Sequence, residues 1–121
     1  MVDLHPILAD MLSDVARVEL SFPDAKADLP LITLTELSSS SDLILDGEER
    51  LQGTDWQIDV WDSGDTPEHC EQLAFKVDKI MIAAGFTRYF GQQLRDPAIP
   101  QRKCLRYRGQ LDTKTYYMYR S

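Results

Sequence analysis

Apolar residues along this chain switch between two spacings, and the switch is sharpest between positions 54 and 86. Trp56, Ile58 and Val60 alternate with Gln57, Asp59 and Trp61, the period of two of a half-buried strand. Asp62-Ser63-Gly64-Asp65 breaks the strand. Thr66 and Pro67 then offer an N-cap hydroxyl and a residue pre-set for the first helical position, with Glu68 and Glu71 near the positive end of the helix dipole. Leu73, Val77, Ile80, Met81 and Ala84 fall on one stripe of an α-helix. Gly85 suits the left-handed position that ends a helix, and Phe86 is free to open the next strand.

The same reading extends both ways. Residues 3–17 predict a first helix, with Asp3 as N-cap and Ile7, Leu8, Met11, Leu12 and Val15 on one side. After a break at Phe22-Pro23-Asp24, residues 29–37 predict a strand with Leu31, Thr33, Thr35 and Leu37 on one face. Residues 38–53, opening with Ser38-Ser39-Ser40-Ser41, read as a long connection, and connections of that length are commonly functional. Leu43, Ile44 and Leu45 in its middle call for a surface to cover. Residues 87–94 predict a strand with Arg88, Phe90 and Gln92 opposite Tyr89 and Gly91. A rigid break at 96–100 follows, then a strand over 103–111 with Cys104, Arg106 and Arg108 on one side and Leu105, Tyr107, Gly109 and Leu111 on the other. Asp112-Thr113-Lys114 marks a turn, and 115–120 a short returning strand. The expected fold is α+β: a mainly antiparallel sheet of four to five strands, two helices on one face, and a long loop or hairpin extension between the first two strands.

At 121 residues the chain is expected to form a single domain, 1–121. No apolar run is long enough to span a membrane and no basic-then-apolar leader is visible, which predicts a protein cytoplasmic when made. Cys70 and Cys104 read as small buried thiols. The net charge of −7 conceals a division. Residues 1–85 carry 18 acids against 5 Lys or Arg, net −13, and residues 86–121 carry 2 acids against 8 bases, net +6. Either the two halves interleave and the charges mix, or one copy's basic region meets another copy's acidic region.

Motifs for chemistry are missing. There is no HxxxH, HExxH, CxxC, GxSxG, Walker or GxGxxG pattern, and consecutive His69, Cys70 and Glu71 point about 100° apart on a helix. No catalytic residue, cofactor or metal is assigned, and the chain is read as not an enzyme. Asp59 and the Glu48-Glu49 pair are expected to be solvated. Arg102, Lys103, Arg106 and Arg108 with Tyr107, Tyr116, Tyr117 and Tyr119 could form a basic aromatic surface for single-stranded nucleic acid. The overall pI near 4.7 disfavours that and favours pairing between subunits.

Residues 30–37 (Pro30-Leu31-Ile32-Thr33-Leu34-Thr35-Glu36-Leu37), Trp56-Gln57-Ile58-Asp59-Val60-Trp61, Val77-Asp78-Lys79-Ile80-Met81 and Ala84-Gly85-Phe86-Thr87-Arg88, followed by Lys103-Cys104-Leu105-Arg106-Tyr107, resemble the small tail completion or tail terminator proteins of long-tailed phages and prophages. The resemblance runs over about residues 29–110. It implies a structural subunit that forms a ring, often a hexamer, at the head-proximal end of the tail tube, ends tube growth and docks to the head connector or neck protein. DNA would only pass through the lumen, no membrane would be involved, and the protein would pass from the host cytoplasm into the virion. On this reading the inter-subunit or partner interface draws on Leu43, Ile44, Leu45, Glu48, Glu49, Arg50, Arg102, Arg106 and Arg108. The alternatives are another neck or head-completion protein, or a small nucleic-acid-binding or regulatory module using the basic C-terminal strands.

Overall fold

A computed structural model of the chain describes residues 1–119. In chain order the elements are α1 (His5–Leu12), β1 (Arg17–Glu19), β2 (Leu31–Leu45), β3 (Glu48–Asp62), α2 (Glu68–Ala83), β4 (Thr87–Leu94), β5 (Gln101–Asp112) and β6 (Met118–Tyr119). The sheet has six strands in the order β1-β2-β3-β5-β4, with β6 also paired to β5. Every pairing is antiparallel except β1 with β2. The α+β expectation holds, with both helices on one face.

That inner face is the main core. Leu4, Leu8 and Leu12 around α1 and Cys70, Leu73, Ala74, Val77 and Met81 of α2 pack with Ile32 and Leu34 of β2, Trp56, Ile58 and Val60 of β3, and Leu105, Tyr107 and Leu111 of β5. The alternation read from 56–61 and 103–111 assigns these faces correctly. Tyr107 carries its hydroxyl to Asp78 Oδ1 of α2 at 2.7 Å, so the polar tip of a buried ring is satisfied. The stop of α2 follows the expectation: Phe86 N–H donates to Met81 O and Gly85 N–H to Ile82 O, with Gly85 at φ +105°, the paired bonds of a Schellman ending.

Several boundaries move. The first helix ends at Leu12, and residues 17–19 form β1 by pairing in parallel with Leu31–Thr33, because a partner strand offers that backbone its hydrogen bonds. Leu4 holds the N-cap position and makes no side-chain cap; Asp3 instead accepts from His5 N–H at 3.0 Å and from its ring. Likewise α2 begins at Glu68 with Pro67 as N-cap and no hydroxyl cap from Thr66. In β4 a register shift between Arg88 and Phe90 puts Arg88 on the inner face, opposite Tyr107, while Phe90 and Gln92 face outward. Arg88 there reaches Asp78 at 3.2 Å. The expected last strand shrinks to Met118–Tyr119, with Arg120 outside the described residues.

The structure gives the connection at 38–53 its form. It is two strands of one hairpin: β2 runs on to Leu45 and β3 starts at Glu48, with Leu45 paired to Glu48 across Asp46 and Gly47. Those two residues have φ +52° and +77°, the positive pair that a two-residue type I′ turn requires and that Asp-Gly readily adopts. Of the two forms the sequence left open, loop or hairpin, the hairpin is the one observed.

Candidate functional site

The nine interface residues named from the sequence fall into two groups. Leu43, Ile44, Leu45, Glu48, Glu49 and Arg50 gather at the tip of the β2–β3 hairpin. Arg102, Arg106 and Arg108 lie on β5, on the outer face that carries no helix. Asp112, four positions beyond Arg108, pairs with Leu51 at the root of the tip, so the groups are separated by about 13 Å of strand.

At the tip, Ile44 is 60% exposed and Leu43 and Leu45 are 39% and 46% exposed. Three adjacent aliphatic side chains in water are a contact surface by composition. Their base is braced: Thr113 N–H donates to Arg50 O at 3.1 Å and Thr113 Oγ1 to Glu49 O at 2.5 Å. Asp112 turns its own chain by accepting from Lys114 N–H and Thr115 N–H, which hold its carboxyl below the usual carboxylate range. Glu48 is solvated as expected, 3.6 Å from Lys114. Glu49 is not: it is partly buried and pairs with the Met1 ammonium at 3.2 Å.

On the outer face the structure overturns the solvated reading of Asp59, which is fully buried. Its Oδ1 accepts from Arg102 Nε at 3.0 Å and its Oδ2 from Gln57 Nε2 at 2.8 Å, and Gln57 Oε1 in turn accepts from Arg106 Nε at 3.1 Å. Each arginine also lies against aromatic rings. Arg102 sits 4.7 Å from the centroid of Trp61 and 5.0 Å from Phe22, Arg106 is 4.9 Å from Phe90, and Arg108 is 4.1 Å from Tyr89. The Tyr89 hydroxyl donates to Asp55; its partial desolvation and that bond push its pKa up to about 12. The sequence singled out the arginines and missed the carboxylates and rings that hold them. One signal was present: with Trp61 and Asp59 on one face and Trp56, Ile58 and Val60 on the other, β3 has bulky residues on both sides, which favours burial of both.

Little here resembles a reaction centre. Cys70 and Cys104 are buried free thiols, as expected, and desolvation, with nearby Asp62 and Asp59 respectively, pushes each to about 11, where the reactive thiolate is scarce. His69 Nδ1 lies 3.0 Å from the buried Asp62, but Cys70 points inward to Val60 O. Among the described residues no group of three or more His, Cys, Asp or Glu side chains is placed to hold a metal ion, and no helix is long and apolar enough to cross a membrane. A surface depression of about 500 Å³ at the β4–β5 turn is lined by Gln93, Leu94, Arg95, Asp96, Pro100 and Gln101.

The spatial distribution of charge is the clearest electrostatic feature. Strands β2 and β3 carry seven acids (Glu36, Asp42, Glu48, Glu49, Asp55, Asp59, Asp62) against Arg50, net −6. Strands β4 and β5 carry five bases (Arg88, Arg102, Lys103, Arg106, Arg108) against Asp112, net +4. Because β2 and β3 lie together and β5 and β4 lie together, the division along the chain becomes a division across the sheet, bridged by the pairs of Asp59 with Arg102, Glu71 with Lys103 and Asp78 with Arg88. A scan against protein-family models gives no match, and a search of curated proteins gives no significant one.

Proposed function

We propose that this chain is a structural assembly subunit without catalytic activity, a tail completion (tail terminator) protein of a long-tailed phage or prophage. It forms a ring, in this family often a hexamer, at the head-proximal end of the tail tube, ends tube growth and joins tail to head, first in the host cytoplasm and then in the virion. The supporting observation is the β2–β3 hairpin, whose apolar tip at Leu43, Ile44 and Leu45 has no counterpart to cover it within the described residues. A ring needs two different patches that fit one another, and the charge division across the sheet supplies a pair of opposite sign.

The test is binding to purified tail tubes. The protein is expected to cap them at one end and arrest further addition of tube subunits, and Ile44→Lys to abolish capping while leaving thermal unfolding unchanged. Failure of the wild-type protein to bind tubes overturns the proposal. Retention on heparin at moderate salt would instead favour the nucleic-acid reading. That reading has less support here, since Asp55 and Asp59 lie among the arginines whose guanidinium groups already contact rings of the same chain.

A further inference from the structure

The sheet has two open edges. On one side β1 covers β2 only at Leu31–Thr33, and from residue 34 to 45 that edge of β2 has no strand beside it among the described residues. Residues 36–45 are all exposed. On the other side the outer edge of β4 (Thr87–Leu94) is likewise unpaired, with Arg88, Tyr89, Gly91, Gln92 and Gln93 exposed. Rows of unpaired N–H and C=O groups are templates for another strand. From these two edges we infer that copies of this chain join edge to edge, the free part of β2 in one copy adding to β4 of the next to continue a single antiparallel sheet.

Direction and charge choose this pairing over its rivals. Alternating antiparallel contacts make β2 run with β5, and β3 with β4. A copy generated by rotation about an axis along the strands therefore brings its β2 antiparallel to β4, so sheet geometry is preserved across the joint. The β2 edge bears Glu36 and Asp42 and no base, whereas 87–95 bears Arg88 and Arg95 and no acid. Joining β2 to β2, or β4 to β4, sets like charges together; joining β2 to β4 sets opposite charges together. Arg88 already has Asp78 at 3.2 Å, but Glu36 and Arg95 make no ion pair among the described residues. With Ser38 opposite Gln92, both on the outer face, Glu36 comes close to Arg95. Unlike edges joined head to tail make a heterologous contact, which closes into a ring when the rotation permits. This inference rests on the ring reading above and specifies its joint.

Two experiments test it. Ser38→Cys and Gln92→Cys proteins, both at exposed positions and both carrying Cys104→Ser because Gln92 pairs with Cys104 across β4–β5, are mixed at high concentration under mild oxidation. Cross-linked dimer is expected to be several-fold more abundant in the mixture than with either protein alone, because the joint is heterotypic. Light scattering is then compared for Glu36→Arg, Arg95→Glu and the double variant. Each single reversal is expected to weaken self-association several-fold and the double reversal to restore it. Equal cross-linking in mixture and controls, or failure of the double variant to recover, overturns the inference. If copies associate by light scattering or still cap tail tubes without the heterotypic disulfide, the edge joint is wrong and the ring reading stands; if tube binding itself fails, the ring reading falls with it.

Discussion

At Asp59 and Arg102 a carboxylate with no exposure meets a guanidinium whose side chain is 15% exposed. Removing one partner leaves the other charged, buried and unpaired, so Asp59→Ala is expected to cost about 3 kcal/mol in urea unfolding. The exposed Arg108→Ala should cost under about 1 kcal/mol. The two tyrosines make a second claim at this scale. Burial and the bond to Asp78 raise Tyr107 far above the ordinary tyrosine value, and partial burial with the bond to Asp55 takes Tyr89 from 10 to about 12. Groups whose folded pKa is raised stabilise the fold fully below the unfolded value and lose that contribution as pH climbs through the folded one. The melting temperature is therefore expected to fall above pH 10, less steeply in Tyr107→Phe. None of these partners was readable from single positions. Arg102 and Asp59 are 43 residues apart, and nothing in the spacing of either announces the other until β3 and β5 are paired.

Elements were more legible where one physical signal dominated. The stripe of α2 and its glycine stop were readable because Leu73, Val77 and Met81 must share a core and Gly85 must turn left-handed. Val77→Asp places an unpaired carboxylate there and is expected to abolish cooperative unfolding. Gly85→Ala carries two penalties, a φ of +105° and a new Cβ 2.7 Å from Met118 O. Gly47→Ala carries the conformational one alone, since nothing lies within 4 Å. The first should therefore lower global stability distinctly more than the second, whose cost of about 1 kcal/mol should appear chiefly as faster amide exchange near the hairpin tip. The hairpin itself was obscured by the serine run, which has neither the apolar alternation nor the β-branched residues of an ordinary strand. The Asp46-Gly47 turn was the overlooked signal, and β1 had none, being held by its neighbour alone.

For the whole molecule, the division of charge counted along the sequence survives folding in part, because the chain lays its strands in two contiguous pairs while Asp59, Glu71 and Asp78 each hold a base of the other half. The antiparallel sheet and the single-face packing of the helices followed from element order; the open edges did not, since they depend on where β1 leaves β2. Raising ionic strength is accordingly expected to weaken the self-association proposed above while leaving monomer stability nearly unchanged, which sizing and thermal unfolding over a salt series would separate. The serines on the exposed length of β2 bear on a different problem, how an open sheet edge avoids pairing at random. A bare edge lined by valine or isoleucine seeds fibrils. Ser38, Ser39, Ser40 and Ser41 give this one little grease, so a stray strand gains backbone bonds and almost no dry interface. The segment that hid the hairpin in the sequence is thus expected to limit stray strand pairing at that edge, and Ser39→Val with Ser41→Val should reveal it as turbidity on storage.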